Sequence, residues 1–194
     1  MNTEKLNANE YNDASIIRNS VNNEQAEAHG IYTAKCFDVN GILKWEDTFP
    51  NIVTTVGKNL ALDSFLSGTA YTVTGPFLGL ISSTTFTAVA AADTMTSHAG
   101  WLEAGTANAP TYSGTRKTAV FSAASAGAKA LSTALSFGIT GTGTVKGCFL
   151  VYGTGAIATI DNTAGTLYSA GLFTGGDKAV VNSDTLQVSY STSL

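Results

Sequence analysis

The sequence predicts a mainly β protein: a two-sheet β-sandwich or jelly roll with one short helix and an extended N-terminal arm. Three observations predict it. From about Gly105 onward the chain is written in Thr, Ser, Ala and Gly, with short β-branched and aromatic runs that break at glycine, as in TAVFSAAS and VKGCFLVYGTG. Small polar and apolar residues alternating between frequent turn signals mark strands and tight turns. Near the start of the body, Asn40-Gly41 stands between the alternating runs IYTAKCF and ILKWEDTF, the strongest short-range hairpin signal. Lastly, only one segment of the body has helical spacing.

Residues 1–30 form the predicted arm. They are rich in Asn, Glu and Gln and hold one apolar cluster, Ile16-Ile17 with Val21. Ile17 and Val21 stand four apart, which predicts a short amphipathic helix from about Ala14 to Ala28 with Asp13 as N-cap. Such a helix is marginal alone, so the segment reads equally as a flexible tail and as an arm that orders on a neighbouring subunit. Ile16, Ile17 and Val21 are the candidate partner-binding residues.

Residues 31–194 form the predicted sandwich body. After the hairpin, Pro50 is expected to close the second strand and NIVTT to follow as an extended link. Thr55 to Ser67 carries Val56, Leu60, Leu62, Phe65 and Leu66, the spacing of a helix packed on one edge of the sandwich and ended by Gly68. Phe77 to Ile81 reads as a fully buried strand because it lacks polar alternation. Ala91 to Trp101 reads as a loop or single helical turn capped by Asp93. Further strands are expected at about Gly114–Ala123, Ala130–Ile139, Thr144–Tyr152, Ala156–Ile160, Thr166–Phe173 and Leu186–Ser191. About nine strands in all suit a jelly roll or related sandwich.

Composition narrows the function. The chain has 194 residues, of which 44% are hydrophobic and only 12% charged, about half the usual charged share. A surface so poor in ions favours extensive contact with other protein in an assembly, over the alternative of a Ser- and Thr-rich β protein kept soluble by its hydroxyls. The net charge of −4 argues against nucleic-acid binding, which leaves a basic footprint. No run approaches the length of a membrane span, and no secretory signal opens the chain. Synthesis in the cytoplasm is expected. Cys36 and Cys148, each in an apolar strand-like run, read as small core residues rather than as a disulfide or a metal pair.

Reactive groupings are scarce. Asp93, His98 and Glu103 share one stretch and have the chemistry of a metal or acid–base site. The favoured reading is plainer: Asp93 caps a turn, His98 bonds the backbone, and Glu103 pairs with Arg116. No serine lies in a nucleophile elbow. Gly141–Gly147 (GTGTVKG) matches no phosphate loop and reads as a β-turn. The acids after Glu103 are Asp161, Asp177 and Asp184, all in apparent turns, which does not suit a glycosidase pair. Trp45, Trp101, Tyr112, Tyr152 and Tyr168 have the makings of a sugar platform but read first as core or interface aromatics. No catalytic residue, metal or cofactor is expected.

Several segments together resemble a family of tailed-bacteriophage virion proteins, the small capsid decoration or cement proteins. They are KWEDTFPNIVTTVGKNLALDSFL, FLGLI, AADTMTSHAGWLEA, TRKTAVFSAAS, VKGCFLVY, GTLYSAGLF and SDTLQVSYSTSL, in that order. The resemblance covers roughly residues 30–194. It implies a jelly-roll-like fold and a non-enzymatic virion component on the outer capsid surface. That component would bridge neighbouring major capsid proteins, with copies of itself as further partners, and would touch neither nucleic acid nor membrane. Endings of the DTLQVSYS type also occur in phage tail and fibre proteins, so a tail, baseplate or fibre component is the alternative, beside a glycan-binding attachment module.

Overall fold

The computed structural model describes residues 28–66 and 74–193. Ile16, Ile17 and Val21, and the predicted helix stop at Gly68, lie outside the described residues. The elements are β1 (His29–Phe37), β2 (Leu43–Val53), α1 (Thr55–Leu66), β3 (Phe77–Ser82), β4 (Lys117–Thr118), β5 (Ala128–Ala130), β6 (Leu135–Gly138), β7 (Gly143–Tyr152), β8 (Thr166–Leu172), β9 (Lys178–Val180) and β10 (Thr185–Ser193). Among the described residues the fold is mainly β with one helix, as the sequence predicts for the body.

The strands form one antiparallel sheet in the order β4-β3-β7-β8-β2-β1-β10-β5, with β6 also on β10 and β9 also on β7. The two layers expected of a sandwich are two halves of this sheet, joined through β2. Residues Leu43 to Pro50 of β2 pair with β1, and Asn51 to Val53 pair with β8. This corrects the expectation that Pro50 ends the strand. Proline cannot donate a ladder hydrogen bond, and Pro50 sits where β2 changes partners.

The curled sheet then meets itself. Ala119 N donates to Pro76 O (2.8 Å), beside β3, while Ser122 N donates to Ala130 O (2.9 Å) and Ser132 N to Val120 O (2.9 Å). Leu131 N in turn donates to Tyr190 O (2.9 Å) in β10. Residues 117–122 therefore bridge the two outer flanks and close a barrel along part of its length. A closed sheet leaves no long edge for unwanted pairing.

Inside the barrel, alternate residues point inward. Tyr32, Ala34 and Cys36 of β1 and Leu186, Val188 and Tyr190 of β10 pack with Leu78, Leu80, Cys148 and Leu150 from the opposite half. Each large apolar side chain so buried contributes about 1.5–3 kcal/mol. A second cluster lies on the outer face of β3, β7 and β8: Ile81, Phe149, Val151 and Leu167 under Met95 and Trp101. Burial on both faces explains why β3 and β7 read as unbroken apolar runs.

Helix α1 begins because Thr54 caps it. Thr54 Oγ1 accepts from Gly57 N (3.0 Å) and donates to Leu167 O, while Thr54 N donates to Tyr168 O (2.9 Å). The cap thus fastens the helix to β8. Only Gly57 and Leu60 of the helix are buried. Leu62, Phe65 and Leu66, expected to pack on the sandwich, are exposed, Phe65 at 85%. The close approach of Gly57 to β8 sets the contact face, and these three side chains lie away from it.

Other expectations need correction. The strand expected at 114–123 is regular only at Lys117–Thr118, with one bridge at Phe121. The strand expected at 130–139 is two pieces, β5 and β6, which share β10 as partner. Residues 156–160 form no strand, because their carbonyls serve Arg116: Ala158 O accepts from its backbone N–H and Ile157 O from Nη1. Strand β9 lies in a stretch read only as the end of a Gly-Gly turn; three residues are too short to show a period.

Candidate functional site: the aromatic mouth of the barrel

One end of the barrel collects the start of β1, the end of β2, the starts of β3 and β8, and the ends of β7 and β10. Antiparallel pairing brings these termini together. The opening there is a depression of about 270 Å³, walled by Phe121, Leu150, Tyr152, Tyr168 and Tyr190, with Pro76, Lys129 and Thr192 on its lining. Tyr152 and Tyr168 meet edge to face with centroids 5.3 Å apart, and Phe121 meets Tyr190 in the same way at 6.1 Å. Barrel mouths of this kind are common ligand sites.

The floor is polar. Asn51 Nδ2 donates to Tyr190 Oη (3.0 Å), and Tyr32 Oη shares a hydrogen bond with Ser169 Oγ (3.0 Å). Asn51 Oδ1 is buried and accepts no hydrogen bond from the described residues. Burial, then the neighbouring Tyr168, pushes the Tyr190 hydroxyl up to about 12, against the opposing hydrogen bonds from Thr192, Ser169 and Asn51. Tyr190 therefore stays a neutral phenol. Gly30 makes room for it: a Cβ there would overlap the Tyr190 ring and hydroxyl.

On the rim, Thr192 Oγ1 donates to His29 O (2.8 Å), which fixes the entry of the chain into β1 beside the opening. Lys129 is exposed and makes no ion pair among the described residues. The opening thus offers aromatic faces, hydroxyls and one ammonium group. It suits an apolar or ring-shaped group flanked by negative charge.

The predicted site residues are placed as follows. Asp93 Oδ2 accepts from Ala90 N (2.9 Å) and from Trp101 Nε1 (3.0 Å). His98 Nδ1 bonds Trp101 O (3.0 Å) and its ring stacks on the indole. Glu103 binds Arg116 through two hydrogen bonds, 2.9 and 2.7 Å. The three groups thus take the plainer roles expected of them. Among the described residues no three His, Cys, Asp or Glu side chains gather in a metal-binding arrangement.

Of the proposed aromatic platform, the mouth takes Tyr152 and Tyr168. Trp101 and Tyr112 are buried in the core, and Trp45 packs on Phe173 while its Nε1 donates to Ala179 O. Phe121 and Tyr190 belong to the mouth but were missed. The alternation Leu186-Val188-Tyr190 pointed Tyr190 inward; nothing local marked its position at an opening. Cys36 and Cys148 are free, buried thiols. Burial, and next the charge of Asp184, pushes Cys36 up to about 12, and burial also raises Cys148.

The buried acids are committed to structure. Asp47 accepts from Thr174 Oγ1 (2.7 Å), Gly175 N (3.1 Å) and Lys178 Nζ (3.1 Å). Asp184 accepts from Lys44 Nζ (2.6 Å) and Val181 N (2.8 Å). Comparison with known proteins finds no matching family model, no matching curated protein and no matching solved structure.

Proposed function

We propose that this chain is a non-enzymatic structural protein of a phage virion, which decorates the assembled capsid and bridges neighbouring major capsid proteins. The observation that carries the reading is the set of apolar side chains left in water on projecting elements. Val39, Ile42 and Leu43 stand exposed at the tip of the β1–β2 hairpin, and Leu62, Phe65 and Leu66 on α1. Grouped apolar side chains on an ion-poor surface are what a protein–protein contact buries. Ile16, Ile17 and Val21 supply a further apolar contact to coat protein or to an adjacent copy.

Such a protein acts by mass action. It binds the assembled lattice and not dispersed coat subunits, so each contact stabilises the shell against the pressure of packaged DNA. Repetition over a symmetric surface multiplies a weak contact. The committed state of Asp47, Glu103 and Asp184 supports a role in binding rather than turnover. The test is electron microscopy and protein quantification of purified particles. High copy number on filled heads, retained on tailless ones, is expected; absence from heads overturns the reading.

A specific observation favours one alternative. The tyrosines and the lysine of the mouth suit a sugar ring, as a glycan-binding attachment module requires. Binding to surface polysaccharide, lost in Tyr168→Ala, would place the protein there instead.

A further inference from the structure

We infer that Asn40, at the tip of the β1–β2 hairpin, is a modification site: its side-chain amide is lost to attack by the Gly41 backbone nitrogen, at a rate that Asp38 holds down. The site is independent of any coat partner.

Asn40-Gly41 is the one Asn-Gly pair in the chain. In the reaction Gly41 N loses its proton to hydroxide and bonds to Asn40 Cγ. The Cγ–Nδ2 bond breaks, and Nδ2 takes up a proton from water and leaves as ammonia. A five-membered succinimide remains. Water then opens the ring at one of its two carbonyl carbons, giving aspartate or isoaspartate. One water is consumed and one ammonia released, with no oxidant and no cofactor. A following glycine favours the step because it has no Cβ to crowd the attacking nitrogen.

The surroundings leave the reacting atoms open. Asn40 and Gly41 are both exposed, and a Cβ built on Gly41 meets nothing within 4 Å, so water and base reach them. The Asn40 side chain makes no hydrogen bond among the described residues, so nothing holds Cγ away. Asn182 is the natural comparison: it is exposed too, but Ser183 follows it.

The turn restrains the nucleophile instead. Gly41 N donates to Asp38 O (2.9 Å) and Asp38 N to Ile42 O (2.9 Å). Asp38 Oδ1 accepts from Asn40 N (2.9 Å) and from Ile42 N (2.8 Å). Neither Val39 nor Asn40 has a positive φ, while Gly41 sits at +78°, the arrangement of a type I turn ended by a left-handed glycine. Such a turn sets ψ of Asn40 near about 0°, whereas ring closure needs Gly41 N brought alongside Asn40 Cβ. The reaction therefore runs through brief openings of the turn, and the two bonds to Asp38 Oδ1 make those openings rare. Isoaspartate lengthens the main chain by one atom inside the turn. It thereby loosens the placing of Val39, Ile42 and Leu43, the exposed apolar side chains of the tip.

The test incubates the purified full chain in mildly alkaline buffer and follows each asparagine by peptide mapping and mass spectrometry, with fragmentation that separates isoaspartate from aspartate. Asn40 should convert ahead of Asn182, to both products, and faster as pH rises. Asp38→Ala should convert about tenfold faster in the folded chain, the effect of losing two hydrogen bonds to a carboxylate. Asp38→Asn keeps an acceptor oxygen and should fall between the two. In urea all three chains should convert at one rate, above that of the folded wild type.

A folded wild type that keeps Asn40 intact while the urea-unfolded chain loses it overturns the inference, since the turn then closes the site outright. Conversion to aspartate alone overturns it as well, because direct hydrolysis forms no ring and no isoaspartate. Equal folded rates in wild type, Asp38→Asn and Asp38→Ala remove Asp38 from control of the rate. Earlier loss at Asn182 would show that the Gly41 neighbour does not decide the position.

Discussion

Arg116 and Glu103 form a buried bidentate ion pair beside Phe149, with Nε to Oε1 at 2.9 Å and Nη2 to Oε2 at 2.7 Å. Their side chains are 0% and 4% exposed. The pair ties distant loops together: Arg116 Nη1 also donates to Ile157 O and Nη2 to Asn162 O, while Glu103 Oε2 accepts from Asp161 N. Its worth is largely in order. A buried pair gains little net energy over an apolar replacement, but removing one partner strands the other charge.

Arg116→Met is accordingly expected to cost about 3–5 kcal/mol of unfolding free energy in urea titration. Removing Glu103 as well, as Arg116→Met with Glu103→Leu, should recover part of that loss. Recovery will be incomplete, because Ile157 O, Asn162 O and Asp161 N still lose their partners. A double variant no better than Arg116→Met would show that the stranded charge is not the source of the cost.

Acid stability should separate two kinds of carboxyl. Burial pushes Asp47 and Asp184 up, but their hydrogen bonds, with Lys178 and Lys44, outweigh it and hold both below the usual carboxylate range. A depressed value means stability present above the unfolded value, near about pH 4, and lost as pH falls through the folded one. Glu103 has the opposite sign. Burial raises it despite Arg116, so its contribution is full in acid and declines as pH rises through the raised value. Asp184→Asn should flatten the loss below about pH 4, and Glu103→Gln should flatten the decline above it. Unfolding followed across pH reads both, and matching slopes in the two variants would contradict the assignment.

Gly57 offers a case where local propensity and packing disagree in sign. Alanine gains up to about 1 kcal/mol over glycine within a helix, and Gly57 stands in the first turn of α1. Here, however, a Cβ would run into the carbonyl and Cα of Tyr168 in β8, and backbone cannot swing aside as a flexible side chain can. Gly57→Ala must lift α1 off the sheet. A net loss of about 1–3 kcal/mol is expected, read by thermal unfolding. A gain would mean that the helix is not seated on β8.

What the sequence disclosed follows from how local each signal is. The β1–β2 hairpin was legible because Asn40-Gly41 and its flanks lie within a few residues, and β3 and β7 because each holds an unbroken apolar run. The closing segment 117–122 was not, since its partners are Pro76 and Ala130, brought near only by the finished barrel. Pro50 misled because a local rule about proline says nothing of a strand that changes partners. The Glu103–Arg116 pair was readable from one acid and the adjacent bases Arg116 and Lys117 at either end of an uncharged stretch. The mouth was half readable: Tyr152 and Tyr168 were noted, but an opening belongs to the ends of six strands and has no sequence pattern.

The apolar face of α1 permits a separation of stability from assembly. Leu60 is buried and touches Gly153, so Leu60→Ala should cost about 2–5 kcal/mol. Leu62, Phe65 and Leu66 are exposed in the isolated chain, and polar replacements there should shift unfolding by no more than about 0.5 kcal/mol. If that face is a lattice contact, the triple change to Ser, Thr and Gln will leave a folded protein that no longer co-sediments with coat shells. Melting of each variant is compared with its retention on shells. A triple variant that melts like wild type yet stays on shells removes α1 from the contact and leaves the hairpin tip, Val39, Ile42 and Leu43, as the face to test. A triple variant that melts as early as Leu60→Ala would instead mean that these side chains belong to the core, and the argument from their exposure would fail with it.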